Sequence, residues 1–175
     1  MSDGSLTQDE IDALLQGSAS FDLGGAQGVP SQEVSLSPAQ LNQFQKLIER
    51  TVPSQASNLS MLVTKTANYG PIKVDLISRD RFVSALADEV VQISMPFTEG
   101  LSGEHLYILS ESLATSIAAL MMGQEGVDLN EAALSALQEA IGQISGPVLT
   151  ALGDSLGTTV LTEPASAAKI PKDTL

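Results

Sequence analysis

Chemistry in this chain is concentrated on one side of the stretch Leu134–Leu156, LSALQEAIGQISGPVLTALGDSL. At about 100° per residue on a helix, Ser135, Glu139, Gly142 and Gly146 fall on one face. A hydroxyl and a carboxylate can act there, whereas two glycines bring no side chain. The opposite face carries Leu134, Leu137, Ile141, Ile144, Val148 and Leu152, in steps of 3, 4, 3, 4 and 4. That spacing predicts a stripe turned to a core, so Glu139 faces solvent.

Other chemistries are limited by composition. There is no cysteine and one histidine, His105, which excludes disulfides, thiolate chemistry and cysteine-ligated zinc. His105 sits in an alternating segment with only Glu104 beside it, and neighbours in a strand point to opposite faces. An edge or hydrogen-bonded imidazole is expected, not a ligand. Asp75, Asp80, Asp88 and Glu89 read as a solvated face and not as a metal site, and Met121 and Met122 read as core filling. No glycine-rich segment carries a phosphate-binding pattern, so no cofactor and no metal are expected.

Twenty-one acidic residues against eight Lys and Arg leave a net charge of −13 in 175 residues. Such a surface repels nucleic acid and anionic lipid. No apolar run reaches the roughly 18 residues that a membrane span needs, and the leading residues lack a signal-peptide pattern. A cytoplasmic protein without direct membrane insertion is expected.

Several elements must position the Glu139 face. Residues 6–17, LTQDEIDALLQG, predict a short helix: Thr7 caps it, Glu10 completes a capping box, and Leu6 staples onto Ile11. Ile11, Leu14 and Leu15 form its apolar stripe, and Gly17 ends it. Residues 18–36 are rich in Gly, Ser and Gln and read as a flexible linker, with a reach on the order of 25 Å. Two readings of the leading helix stand: a docking peptide that orders in a partner's groove, or a helix packed on its own domain.

Residues 37–175 read as a globular domain. Ser37 and Pro38 open a helix that runs to Val63, and Tyr69-Gly70-Pro71 follows as a break. Strands are expected at 72–77, 90–95, 105–109 and 158–162, with helical pieces at 81–87 and from Ser110 or Ser112 to Met122. The tail from Ala165 shows no pattern. Residues 41–63 repeat as 134–156 at an offset of 93: Leu41 matches Leu134, Phe44 Leu137, Ile48 Ile141, Leu59 Leu152 and Val63 Leu156. Both copies hold a proline in the same turn, Pro53 and Pro147, where a kink or break is expected. Two related helices across a shared sheet, joined by a pseudo-twofold, make an α/β (α+β) fold. Only about 19 residues follow the second helix, so its half looks truncated.

The segment LTQDEIDALLQ closely resembles the leading segment of the flagellar motor switch proteins FliM and FliY, which docks the response regulator CheY. LSALQEAIGQISGPVLTAL resembles the repeat helix of the CheC, FliY and FliM middle-domain family. The resemblance implies a C-ring component of the flagellar basal body, lacking here the C-terminal SpoA-like domain of FliY types. It implies phosphorylated CheY as partner, held by Asp9, Glu10, Ile11, Asp12, Leu14 and Leu15, together with switch proteins of the FliM, FliG and FliN type. In the family's phosphatases each repeat helix carries Ser or Asp, Glu four residues on, and Asn three further. The Glu grips the receiver's lysine and the Asn orients the attacking water. This chain has Ser135 and Glu139 but Gly142 at the third position, and Asn42, Lys46 and Glu49 in the first copy. Both motifs are degenerate, so binding without hydrolysis is the leading expectation. The alternative is a CheY-phosphate phosphatase acting through Glu139, with the Gln143 amide standing in for the asparagine.

Overall fold

The computed structural model describes residues 36–175, so the leading helix, its residues Asp9 to Leu15 and the linker through Ser35 lie outside the described residues. Helix α1 spans Pro38–Val63. It starts where Ser37 Oγ accepts from the Gln40 amide while Gln40 Oε1 accepts from the Ser37 amide at 2.8 Å, a reciprocal cap. A short helix α2, Arg79–Ser84, is capped by Ser78. Strands β1, Glu89–Glu99, and β2, Glu104–Leu109, form a hairpin, and helix α3 covers Glu111–Met122. Helix α4 runs Glu131–Leu156, three residues longer at its start than the apolar stripe, because Asn130 Oδ1 accepts from the Ala133 amide at 3.1 Å. Strands β3, Leu161–Thr162, and β4, Ser166–Pro171, complete the chain with a 3₁₀ turn at Lys172–Thr174.

The architecture is α+β, with all strand pairings antiparallel around β1. β2 lies on one side, in register Val91 with Leu109 and Met95 with His105. On the other side β4 pairs Val90 with Ile170 and Ile93 with Ala167, and β3 meets the far end of β1 at Phe97. Val91, Ile93 and Met95 alternate inward from β1 and pack with Ala114 and Ala118 of α3 and Leu137, Ile141 and Ile144 of α4. The expected stripe of α4 is therefore the core face: Leu137, Ile141, Ile144 and Val148 are buried, and Leu134 and Leu152 partly so.

The repeat is legible in the backbone. α1 and α4 are both 26 residues long, start and end 93 residues apart, and finish in a left-handed residue, Thr64 at φ 52° and Gly157 at φ 66°. The two halves are not equally covered: Phe44 is 43% exposed where its repeat mate Leu137 is 0%.

Four expectations are corrected. Of the kink or break expected at each proline, the break is absent: both helices run through, and at Pro147 the carbonyl one turn back, of Gln143, accepts from Asn58 Nδ2 of α1 at 3.0 Å, which replaces the lost intrahelical bond. Residues 72–77 form no strand, since no described strand pairs with them. The strand expected at 158–162 shrinks to Leu161–Thr162, because Gly157 ends α4 and the following residues turn back with the Thr158 amide on the Gly153 carbonyl. The patternless tail contains β4, whose place comes from pairing with β1 and not from its own Ala-rich sequence.

Candidate functional site

Helix α4 presents Ser135, Glu139, Gly142 and Gln143 to solvent, as its apolar face demands. Gln143 Nε2 donates to Glu139 Oε1 at 3.4 Å, so a carboxamide and a carboxylate one turn apart share this surface. A Cβ added at Gly142 or Gly146 would meet nothing within 4 Å, which leaves an open track beside Glu139. The backbone of this turn is fixed from the neighbouring helix by the Asn58 bond to the Gln143 carbonyl. Asn58 escaped the sequence reading. Pro147 signals a carbonyl in need of a donor at position 143, but which side chain supplies it depends on how the helices pack.

The matching face of α1 is also exposed, with Asn42, Lys46 and Glu49 outward. Glu49 Oε1 accepts from Gln45 Nε2 at 2.8 Å. Lys46 and Arg50 line a cleft of about 450 Å³ with Gln43, Ala151, Asp154 and Ser155, and neither cation has an ion-pair partner among the described residues. The position that carries a carboxylate on α4 thus carries an ammonium on α1. The two faces are not joined by any described hydrogen bond or ion pair.

His105 lies between Phe97, at 6.4 Å and 11° between rings, and Tyr107, at 4.6 Å and 32°. Its Nδ1 is buried with no hydrogen-bond partner among the described residues, and its strand β2 lies at the edge of the sheet, so of the two expected settings, edge or hydrogen-bonded, the edge one holds. Burial holds its pKa below the ordinary histidine value and raises that of Tyr107. The acids read as a solvated face are exposed, and three are ion-paired: Asp75 with Lys73 at 2.7 Å, Asp88 with Lys172 at 3.0 Å, and Glu89 with Lys169 at 2.7 Å. Among the described residues no cluster of His, Asp or Glu could hold a metal ion.

No family model matches the chain. The flagellar motor switch phosphatase FliY of Bacillus subtilis (strain 168) is 33% identical over 156 residues, 87% of this chain. The crystal structure of Thermotoga maritima FliY superposes with a TM-score of 0.70 at 30% identity, covering 79% of this chain and 72% of that one. The chain belongs to the FliY family of flagellar motor switch proteins. Flagellar switching, chemotaxis and motility are the processes this family serves. The FliY likeness also covers the α+β domain described above. The FliM chain of the Helicobacter pylori FliM–SpeE complex shares the fold, with a TM-score of 0.61 at 16% identity over 78% of this chain and 71% of that one. A chain of the H. pylori FliG–FliM complex does so too, at 0.60 and 16%, covering 75% of each. The chain spans 40% of the length of the B. subtilis FliY protein. No described helix is long and apolar enough to cross a membrane.

Proposed function

We propose that this chain docks phosphorylated CheY through residues 1–17, on a linker of residues 18–36, and that residues 37–175 hold it in the motor switch beside proteins of the FliM, FliG and FliN type. The observation that carries this reading is the segment LTQDEIDALLQ ahead of a FliY-family domain. Ile11, Leu14 and Leu15 bury in the receiver's groove, and Asp9, Glu10 and Asp12 meet basic groups around it. The segment is short enough to be marginal as a free helix, so binding supplies the contacts that order it. Signalling then reaches flagellar rotation at the cytoplasmic face of the basal body, because a linker of this length keeps captured CheY at an effective concentration on the order of millimolar. The test is a titration of labelled, phosphorylated CheY against the whole chain and against residues 18–175. Loss of affinity in the shorter chain supports docking, and equal affinities overturn it.

A second reading is favoured by the Glu139–Gln143 pair: hydrolysis of CheY phosphate, with Glu139 on the receiver's lysine and Gln143 orienting water. The B. subtilis relative bears the name phosphatase. Binding alone remains the leading reading because Gly142 and Lys46 replace the asparagine and glutamate of the two family motifs. Phosphate release from phosphorylated CheY decides between them. Acceleration that disappears in Glu139→Ala establishes the enzyme, and no acceleration leaves the binding module.

A further inference from the structure

The twofold that relates α1 to α4 turns one cleft into two. The cleft between Lys46, Arg50, Ala151 and Asp154 has its mates, 93 residues away, at Glu139, Gln143, Asn58 and Met61. The equivalence is visible in the contacts, since Asn58 reaches the Gln143 carbonyl at 3.0 Å. The two helices run antiparallel: α1 meets residues 151–155 of α4 around Lys46 and Arg50, and Gln143 at Asn58. Met61, one turn further along α1, is therefore level with Glu139, one turn back along α4. Met61 is 68% exposed, the most of any large apolar side chain among the described residues. Glu139 pairs with no cation among them. An uncovered thioether thus stands across the helix pair from an uncompensated carboxylate.

The same twofold keeps both groups in the open. Glu139 and Met61 are placed toward the second half of the repeat as Lys46 and Asp154 are toward β1, β2 and α3. Lys46 and Asp154 are exposed beside those elements. Any further residues set into the second half by this operation would leave Glu139 and Met61 exposed in turn.

We propose that Met61 is the apolar anchor of the surface around Glu139, and that CheY seats there with a basic group on the carboxylate and an apolar group on the thioether. This rests on the reading that CheY meets Glu139. An exposed charge pair by itself is worth little in water, so a seat on this face needs an apolar contact beside it to exclude water and fix register. Methionine suits that contact because its unbranched, polarisable side chain adapts to the shape of a partner. The mate cleft turns the same partner away. There Lys46 and Arg50 repel the basic group, and Asp154 stands where the apolar contact would fall. The helix pair therefore seats one CheY, on the Glu139 side.

Photo-crosslinking of the whole chain tests this, with a benzophenone side chain in place of Met61 or, as the control, of its exposed mate Asp154. Titration of phosphorylated CheY first reads capture by each labelled chain. A chain that captures none overturns the docking reading and the anchor with it. With CheY captured, the crosslink from position 61 is expected to be roughly tenfold stronger than that from position 154. Adding Glu139→Lys, with thermal unfolding as the check that this variant is folded, is expected to reduce it to the level of position 154. Equal crosslinks from the two positions, or none from position 61, overturn the anchor and leave capture by residues 1–17 standing. A strong crosslink indifferent to Glu139→Lys overturns it as well, because the carboxylate then has no part in seating CheY.

Discussion

Asn58 of α1 donates its side-chain amide to the main-chain carbonyl of Gln143 on α4, 3.0 Å away, at the turn that carries Glu139. Pro147 leaves that carbonyl without its intrahelical donor. One hydrogen bond therefore both allows a proline inside a 26-residue helix and fixes the exposed turn from which the candidate site projects.

Asn58→Ala is expected to cost roughly 0.5–1.5 kcal/mol, toward the lower end because the bond is exposed and water can replace it. In a Pro147→Ala background position 147 regains an amide hydrogen for the Gln143 carbonyl, so the same substitution costs less. A denaturant-unfolding double-mutant cycle reads the difference as a coupling energy. Additive losses would mean that the proline and the asparagine act separately.

The left-handed ends of the two repeat helices give a second prediction. Thr64 holds φ 52° with a β-branched side chain, whereas Gly157 holds φ 66° with none. Thr64→Gly relieves the strain and is expected to stabilise by about 0.5–1 kcal/mol. Gly157→Thr introduces it, although a Cβ there meets nothing within 4 Å, so its loss of about 1–2 kcal/mol is a backbone effect alone. Thermal unfolding of both variants checks the opposite signs.

His105 makes stability depend on pH. Burial favours its neutral form, so the folded pKa lies below the unfolded value of about 6.5. Above that value neither state binds the proton and nothing is lost. Below it the unfolded chain takes the proton first, and stability falls as the pH drops toward the folded pKa. Urea midpoints between about pH 7.5 and 5.5 should decline in the wild-type chain and decline less in His105→Asn. Equal slopes would remove His105 as the cause.

Gly142→Asn asks whether the site is one side chain short of an enzyme. The position is open to solvent and a Cβ meets nothing within 4 Å, so the variant folds and gains a few tenths of a kcal/mol of helix propensity. It places an amide three residues beyond Glu139, on the same face. Phosphate release from phosphorylated CheY is expected to rise above the wild-type level. By contrast, a Cβ at Gly153 would stand 2.7 Å from the Thr158 carbonyl oxygen, so Gly153→Ala loses stability.

Much of this architecture is legible from periodicity. Leu137, Ile141, Ile144 and Val148 recur at helical spacing and are buried, which sends Glu139 outward without further information. The capping signal Ser37-Pro38 places the start of α1, and the offset between Leu41 and Leu134 anticipates two helices of equal length. What stays hidden is set by distant pairing. Residues 72–77 have strand-like composition yet no described partner, while the alanines of 165–168 have none of it yet enter the sheet beside β1. The Asn58 bond is of the same kind, since residues 58 and 143 meet only once α1 and α4 have packed.

Phosphorylation-dependent docking by the leading segment is tested most directly by fluorescence titration of CheY, phosphorylated and not, against the whole chain and its Leu14→Asp variant. The account predicts tighter binding of the phosphorylated form by the whole chain, and loss of that preference when a charge replaces Leu14. Equal binding of both forms, or a preference that survives Leu14→Asp, would contradict it.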